Sequence, residues 1–185
     1  MTDVPGIQLR RWAASDKESL VRYANNRNIW INMMDVFPHP YTEEDGARWL
    51  ARVATEQAKP TRLAIDLDGE AIGGVGVTPM TDVDCKTANI SYWLGEPFWG
   101  RGIATYALKL LTAYAFANFD LERLQAGVFE WNPGSARVLE KAGYQFEGRL
   151  RRSIFKDGRI GDALFYARLR ESMSENDLAP TRIKI

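Results

Sequence analysis

Glu96-Pro97-Phe98-Trp99-Gly100-Arg101-Gly102-Ile103-Ala104-Thr105 runs straight into Tyr106-Ala107-Leu108-Lys109-Leu110-Leu111. Upstream of it, Ala88-Asn89-Ile90-Ser91-Tyr92-Trp93-Leu94 reads as a strand; downstream, the apolar run reads as a long helix. Two glycines flanking one arginine at a strand-to-helix junction let the backbone pass close to a ligand. They leave unbonded N–H groups at the helix N-terminus, where the helix dipole also favours an anion. The segment therefore reads as a pyrophosphate cradle, or, with no ligand, as a tight turn that glycine relieves ahead of a core helix. Two other phosphate loops are excluded by spacing. No Lys-Ser or Lys-Thr pair follows the glycines as a P-loop requires, and Thr105 stands where a dinucleotide fingerprint needs its third Gly or Ala. Gly73-Gly74-Val75-Gly76 lies upstream, but strand residues follow it and no helix does.

Outward from this junction the chain alternates between the two periodicities. Ile7 to Trp12 reads as a first strand. Ser15-Asp16-Lys17-Glu18 reads as a capping box, with Leu20, Val21, Tyr23 and Ala24 continuing a helix that Asn25 to Asn28 breaks; Ile29 to Asp35 is a short helix or turn. Prolines keep Phe37-Pro38-His39-Pro40-Tyr41 out of regular helix. Thr42 to Asp45 caps the next helix, with Ala47, Leu50, Ala51 and Ala54 on one face. Two strands, 62–66 and 71–77, join through Asp68-Gly69, a hairpin signal. Within the central helix Ile103, Ala107, Leu111, Tyr114 and Ala115 make an apolar stripe. A strand at Leu124 to Phe129 leads through Asn132-Pro133-Gly134-Ser135 to a helix from Ala136 to Ala142 that Gly143 ends, and a second hairpin turns at Asp157-Gly158. The order predicts a mixed α/β (α+β) layer: one sheet with helices on both sides. It also predicts a single domain over 1–185, with its core at about 7–170 and a polar tail from Glu171.

Composition narrows the function classes. At 185 residues the chain is long enough for one proper core, and with 24 basic and 24 acidic side chains its formal charge is zero. No global field gathers nucleic acid or anionic lipid; Arg149-Leu150-Arg151-Arg152 is the one dense basic spot. A single Cys85 excludes an internal disulfide, and a single His39 argues against a His-rich metal site, so no metal is expected. The N-terminus lacks a basic segment followed by an apolar run, and no apolar run reaches the ~18 residues of a membrane span. A cytoplasmic protein, monomer or homodimer, with no membrane or nucleic-acid partner is the expectation.

Three separated segments resemble the GNAT superfamily of acyl-CoA-dependent N-acyltransferases, in the branch of the RimJ/RimL-type ribosomal-protein N-terminal acetyltransferases. Phe98 to Thr105 resembles the family's pyrophosphate loop, with Trp99, Gly102 and Ala104 at its three key positions. Asn132-Pro133-Gly134-Ser135, followed by Val138-Leu139-Glu140-Lys141-Ala142-Gly143-Tyr144, resembles its second cofactor motif, and Phe37 to Thr42 its substrate-side loop. The resemblance implies a central, mostly antiparallel sheet whose two middle strands splay apart, with acetyl-CoA as cosubstrate and its pantetheine arm in the gap. Backbone groups of Tyr92, Trp93 and Leu94 would then pair with the arm, Trp99 and the N–H groups from Gly100, Arg101, Gly102, Ile103, Ala104 and Thr105 would serve the pyrophosphate, and Asn132 would bond the arm from the other side. Arg101, and more weakly Arg137 and Lys141, are charge partners for phosphate. Trp30, Phe37, His39, Tyr41 and Asn89 are expected on the side of the amine acceptor, a peptide N-terminus or a small molecule.

Attack of a neutral amine on a thioester needs an oxyanion donor, a route for a proton, and a donor for the leaving sulfur. A strand N–H near Trp93 or Leu94 suits the first. Relatives often carry a Tyr seven residues after the motif Asn, but that position is Leu139, so Ser135 becomes the candidate donor to sulfur; Ser135 equally suits the N-cap of the helix at Ala136. The base is less defined. The branch often has Glu where Asn89 stands, and no Glu stands at Ile154, leaving Glu130 first, with Asp35, His39 and Asp84 behind it. These departures keep a second function in view, a module of the same fold that binds acyl-CoA as a sensor without efficient turnover.

Overall fold

The protein, seen in a computed structural model that describes residues 4–56, 58–173 and 183–184, begins with β1 (Ile7–Arg10), α1 (Lys17–Ala24), α2 (Arg27–Trp30) and α3 (Glu43–Ala54). The strands β2 (Arg62–Leu67), β3 (Glu70–Pro79) and β4 (Thr87–Leu94) lead to α4 (Ile103–Asn118). β5 (Arg123–Phe129), α5 (Pro133–Lys141), β6 (Gln145–Lys156) and β7 (Arg159–Leu169) follow, and β8 (Ile183–Lys184) comes last. Both expected hairpins form on Asp-Gly turns. Asp68 and Gly69 have φ of 50° and 99°, Asp157 and Gly158 of 52° and 74°, matching the twist of the strands they join.

Among the described residues all eight strands form one sheet in the order β6-β7-β5-β4-β3-β2-β1-β8. It is antiparallel except where β4 meets β5 and where β1 meets β8. The middle of the sheet opens as expected. β4 and β5 pair only at Thr87↔Arg123, Ala88↔Leu124 and Asn89↔Gln125, and from there to Leu94 and Phe129 they run without pairing to each other. Each strand stays fully laddered to its other neighbour, β4 to β3 as far as Gly73↔Leu94 and β5 to β7 as far as Phe129↔Ala163. The opening is therefore held from both outer sides.

Period-two alternation divides the core between the two faces. Leu63 and Ile65 of β2 join the cluster around α4 and α5, while Ala64 between them joins Trp12, Leu20, Leu50 and Val53 on the side of α1 and α3. The five residues of the expected stripe on α4 are all buried, but so are Tyr106, Leu108, Leu110, Ala113 and Phe116. The helix is a core element enclosed nearly all round, and its wider burial replaces the stripe. Its C-terminal end is closed by Arg170, whose guanidinium donates to the carbonyls of Phe116 and Leu121 at 2.9 and 2.7 Å.

Several local expectations are corrected. Ser15 does not cap α1; the buried Asp16 carboxylate accepts the Ala13 N–H at 2.8 Å and two bonds from Arg10, so a tertiary ion pair displaces the local box. α2 starts at Arg27 because the Asn26 side chain accepts the Asn28 N–H. Thr42 caps α3 with Asp45 as expected, yet the buried face is Gly46, Leu50 and Val53, and Ala47, Ala51 and Ala54 are exposed. Of the tail expected to be loose, 174–182 and 185 lie outside the described residues, while Ile183 and Lys184 pair with Leu9 and Arg10 and extend the sheet.

Asp66 on β2 is fully buried and accepts from Gln8 (2.9 Å), Arg10 (2.6 Å) and the Gly69 N–H (3.1 Å). Burial pushes its carboxyl up, but those bonds outweigh it and hold the group below the ordinary Asp value. Asp66→Asn should lower the unfolding free energy by roughly 3 kcal/mol at pH 7, because Arg10 then keeps a poorly matched partner. Because the folded carboxyl titrates below the unfolded one, this stabilisation is complete above about pH 4 and is lost as pH falls through the lower folded value. Urea unfolding of both forms across that range checks it: the gap should narrow in acid.

Candidate active site

Gly100 and Gly102 have φ of 74° and 77°, where a side chain is strained, and a Cβ on either would meet open space. Backbone conformation thus requires glycine here, and nothing in the protein crowds the turn. The first intrahelical bond of α4 runs from the Tyr106 N–H to the Gly102 carbonyl at 3.0 Å. The N–H groups of Ile103, Ala104 and Thr105 therefore have no helical acceptor, and no side chain caps them. Together with the dipole of a sixteen-residue helix they form an anion-binding end. Arg101 is exposed beside it, with its guanidinium 5.9 Å from the Phe98 ring centre. Arg137 and Lys141 are exposed on α5.

The opened edge of β4 meets this end. Gly95 donates its N–H to the Ile72 carbonyl at 2.8 Å. By the alternation of an antiparallel ladder, the peptide groups of Trp93 then face β3, while those of Tyr92 and Leu94 face the gap. Trp93 is thereby removed from the expected set of three edge-pairing residues. Its side chain lies over Gly74 and against Phe37 on the α1–α3 face. Trp99, 45 % exposed, donates its indole N–H to the Leu94 carbonyl at 2.7 Å, so Leu94 offers the gap its N–H only. The open groups on this edge include the two of Tyr92 and the Leu94 N–H.

Across the gap stands the start of α5. The helix begins at Pro133, three residues earlier than expected, because Asn132 caps it: its Oδ1 accepts the Ser135 N–H at 3.1 Å. Ser135 is then a first-turn residue with its hydroxyl unspent on capping. That hydroxyl lies 2.7 Å from Tyr92 Oη, where either group can donate, and the Ser135 carbonyl at 3.1 Å is an alternative acceptor for the Tyr92 proton, so a side chain of β4 reaches α5. Burial pushes the Tyr92 phenol up to about 12, with its hydrogen bond to Ser135 opposing the shift. Leu139 is fully buried and contributes packing alone.

The expected acceptor residues separate. Trp30 and His39 stack with ring centres 5.5 Å apart, and His39 is exposed. Tyr41 is buried in the α1–α3 core with Phe37 against it, burial pushing its phenol up to about 12, so it is a packing residue. Asn89 sits at the last paired position of β4, where its Oδ1 accepts the Gln125 side chain at 3.0 Å. Of the base candidates, Glu130 has both oxygens engaged, one by Arg149 at 2.5 Å and one by the Asp162 N–H at 3.1 Å. Asp35 pairs with Lys156 at 2.7 Å. Asp84 precedes β4, a strand's length of about 23 Å from Leu94, and so lies at the wrong end.

Two contributors escaped sequence reasoning. Lys156, only 2 % exposed, places its ammonium 3.9 Å from the Trp30 ring centre while bonding Asp35. Trp131, between β5 and α5, donates to the Ile31 carbonyl at 3.3 Å and carries the Arg159 guanidinium over its ring at 4.6 Å. Both dock the β5 and β6–β7 ends onto the segment after α2. No signal in the sequence pairs residues so far apart, although a lysine flanking a turn beside aromatics is a hint. Among the described residues no cluster of three or more His, Cys, Asp or Glu side chains is placed to hold a metal ion, and no helix is long and apolar enough to cross a membrane.

Comparison with known proteins fits this geometry. The family profile described as an acetyltransferase (GNAT) domain matches residues 7–145. A probable N-acetyltransferase of Bacillus subtilis, YjcK, is 41% identical over 147 residues, 77% of this chain and 81% of that protein. The ribosomal-protein-serine acetyltransferase of Escherichia coli is 31% identical over 90% of this chain and 94% of its own length. Among solved structures, Mycobacterium smegmatis RimJ in complex with CoA-disulfide superposes with a TM-score of 0.80 at 26% identity, covering 93% of this chain and 86% of that one.

The docked loop gives a test of the geometry that needs no ligand. Lys156→Met keeps the buried stem and removes the charge. Backbone amides of 32–37 should then exchange hydrogen about tenfold faster, while those of α4 stay unchanged. Equal protection in both forms would show that packing alone holds the loop.

Proposed function

The chain belongs to the acetyltransferase (GNAT) family and is an N-acetyltransferase, and on that premise we propose that it moves an acetyl group from acetyl-CoA to a primary amine by direct attack in a ternary complex. The observation that carries the reading is the gap beyond Asn89↔Gln125, with the uncapped N-terminus of α4 at its mouth and the first turn of α5 on its far side. A CoA ester has the matching chemistry: a pyrophosphate for the helix end, amides for the strand edge, and a thioester carbonyl for attack. The likeness to a structure holding a CoA-disulfide supports the same choice.

In this reading the N–H groups of Ile103, Ala104 and Thr105 hold the pyrophosphate and Arg101 adds charge. The peptide edge of Tyr92 pairs with the pantetheine arm, and the Leu94 N–H, which has no competing strand partner, polarises the carbonyl. The Asn132 carboxamide oxygen is engaged in its cap, so only its NH2 group is left for the arm. Ser135 donates to the sulfur.

The acceptor follows from what the site lacks. Glu130 and Asp35 are both tied in ion pairs, and Asn89 has no titratable proton. Deprotonating a lysine amine of pKa about 10.4 at pH 7 costs about 4.6 kcal/mol, whereas an α-amine near about 7.8 costs only about 1 kcal/mol. With those carboxylates engaged, and the exposed His39 stacked on Trp30 as the weak base candidate that remains, the site suits the α-amine, so peptide N-termini or small amines of low pKa are the proposed acceptors. The ribosomal-protein acetyltransferase among the relatives agrees with that class.

Calorimetric titration with acetyl-CoA should give one-to-one binding in the micromolar range, and Gly102→Ala should weaken it about tenfold by straining the turn. No binding at millimolar ligand would overturn the proposal. With binding established, a peptide panel should release CoA with free N-termini; release with internal lysines and not with N-termini would reverse the acceptor class.

A further inference from the structure

We infer that Tyr92 is a positioning residue for the leaving sulfur, its hydroxyl holding Ser135 as a one-way hydrogen-bond donor into the gap between β4 and β5. The inference rests on the acetyl-CoA reading above and adds a residue to it.

Tyr92 lies beyond the last pair of β4 with β5, and Ser135 lies beyond the end of β5, so the 2.7 Å contact between their hydroxyls spans the opening itself. Each hydroxyl has one proton. Among the described residues Ser135 Oγ has no other protein partner, because Asn132 takes the cap that a first-turn serine would otherwise compete for. Tyr92 has one alternative acceptor, the Ser135 carbonyl at 3.1 Å, on the same residue. When Tyr92 donates to Ser135 Oγ, the serine proton is free for a third group, and the direction it faces is set by the tyrosine.

The tyrosine is suited to that one role. It is half-buried and its phenol is pushed up to about 12, so it keeps its proton through the range in which an amine is neutral and reactive. It does not act as a base there. In the reaction the amine nitrogen forms the new C–N bond with its lone pair, the C–S bond breaks with its pair on sulfur, and the amine's surplus proton passes to solvent. Ser135 then stabilises the thiolate by donation, without giving up its proton, and solvent protonates the sulfur on release. Donors already oriented toward a developing charge are the ones that accelerate a step.

Three variants test this: Tyr92→Phe, Ser135→Ala and the pair together, each checked for an unchanged thermal unfolding profile. Tyr92→Phe and Ser135→Ala should each lower kcat by about tenfold to a hundredfold, with the Kd for acetyl-CoA held within about twofold. The double variant should be no slower than Ser135→Ala alone, because the tyrosine acts through the serine. A second readout needs no turnover: the thiol of CoA bound to the protein, followed by thiolate absorbance, should titrate about one unit higher in either variant than in the unsubstituted protein. Ser135→Thr, which keeps the hydroxyl, should retain the low midpoint and its dependence on Tyr92. Multiplying losses in the double variant would mean that Tyr92 only braces α5 through the Ser135 carbonyl. That result, or an unmoved thiol midpoint with CoA bound, overturns the inference and leaves the acetyl-CoA reading standing. Failure of the unsubstituted protein to bind acetyl-CoA overturns both.

Discussion

The parting of β4 from β5 after Asn89↔Gln125 is the constraint on which the other features depend. Peptide groups withdrawn from water need partners, and an unpaired strand edge inside a sheet is costly unless something supplies them. Here the cost is contained. β3 and β7 hold the outer edges of the two strands over their full length, and the Trp99 indole satisfies the Leu94 carbonyl. What is left open is a short edge at Tyr92 and Leu94, facing a helix end with three unbonded N–H groups. A site of this kind is made of backbone, so it places few demands on side chains other than the glycines that allow the turn.

The gap is framed by contacts that join distant parts of the chain. Glu96, in the turn that leads to the α4 end, accepts from Asn26 at 2.6 Å and from Asn28 at 2.9 Å, tying that turn to the start of α2. On the other side Lys156 and Trp131 hold the segment after α2 against the β6–β7 hairpin and the end of β5. The cofactor side and the proposed acceptor side therefore share α2 as a common support. Charged groups that looked available for catalysis in the sequence, Glu130 and Asp35, are spent on this framing.

Features carried by backbone conformation were legible from residue types. Asp68-Gly69 and Asp157-Gly158 announce two-residue hairpins because few other pairs accept positive φ at both positions. Gly100-Arg101-Gly102 announces the uncapped helix end, and the Asn-Pro-Gly-Ser run announces that a helix follows but not its first residue. Features decided by competition among partners were not. Ser15 and Ser135 both look like caps, yet Asp16 and Asn132 take those places, the first because Arg10 draws Asp16 inward and the second because Pro133 sets the helix start earlier. The alanines of α3 look like a buried face, yet burial goes to Gly46 against Val21 and to the larger Leu50 and Val53.

By itself, then, the sequence determined the order of strands and helices as far as β7, the two hairpins and the anion-binding end, and its motifs carried the resemblance to the family. The elements, the hairpins and the helix end follow from periodicity and from the φ preferences of glycine, proline, asparagine and aspartate, which act within a few residues, whereas the family rests on the resemblance of three motifs. Tertiary structure alone decided that Trp93 turns its peptide groups away from the gap, that Glu130 and Asp35 are bound in ion pairs, and that Tyr92 reaches Ser135. Those outcomes depend on which hydrogen-bond donor arrives first at a given acceptor from tens of residues away. No local preference encodes that choice, because it is settled only when the sheet closes and leaves its middle open.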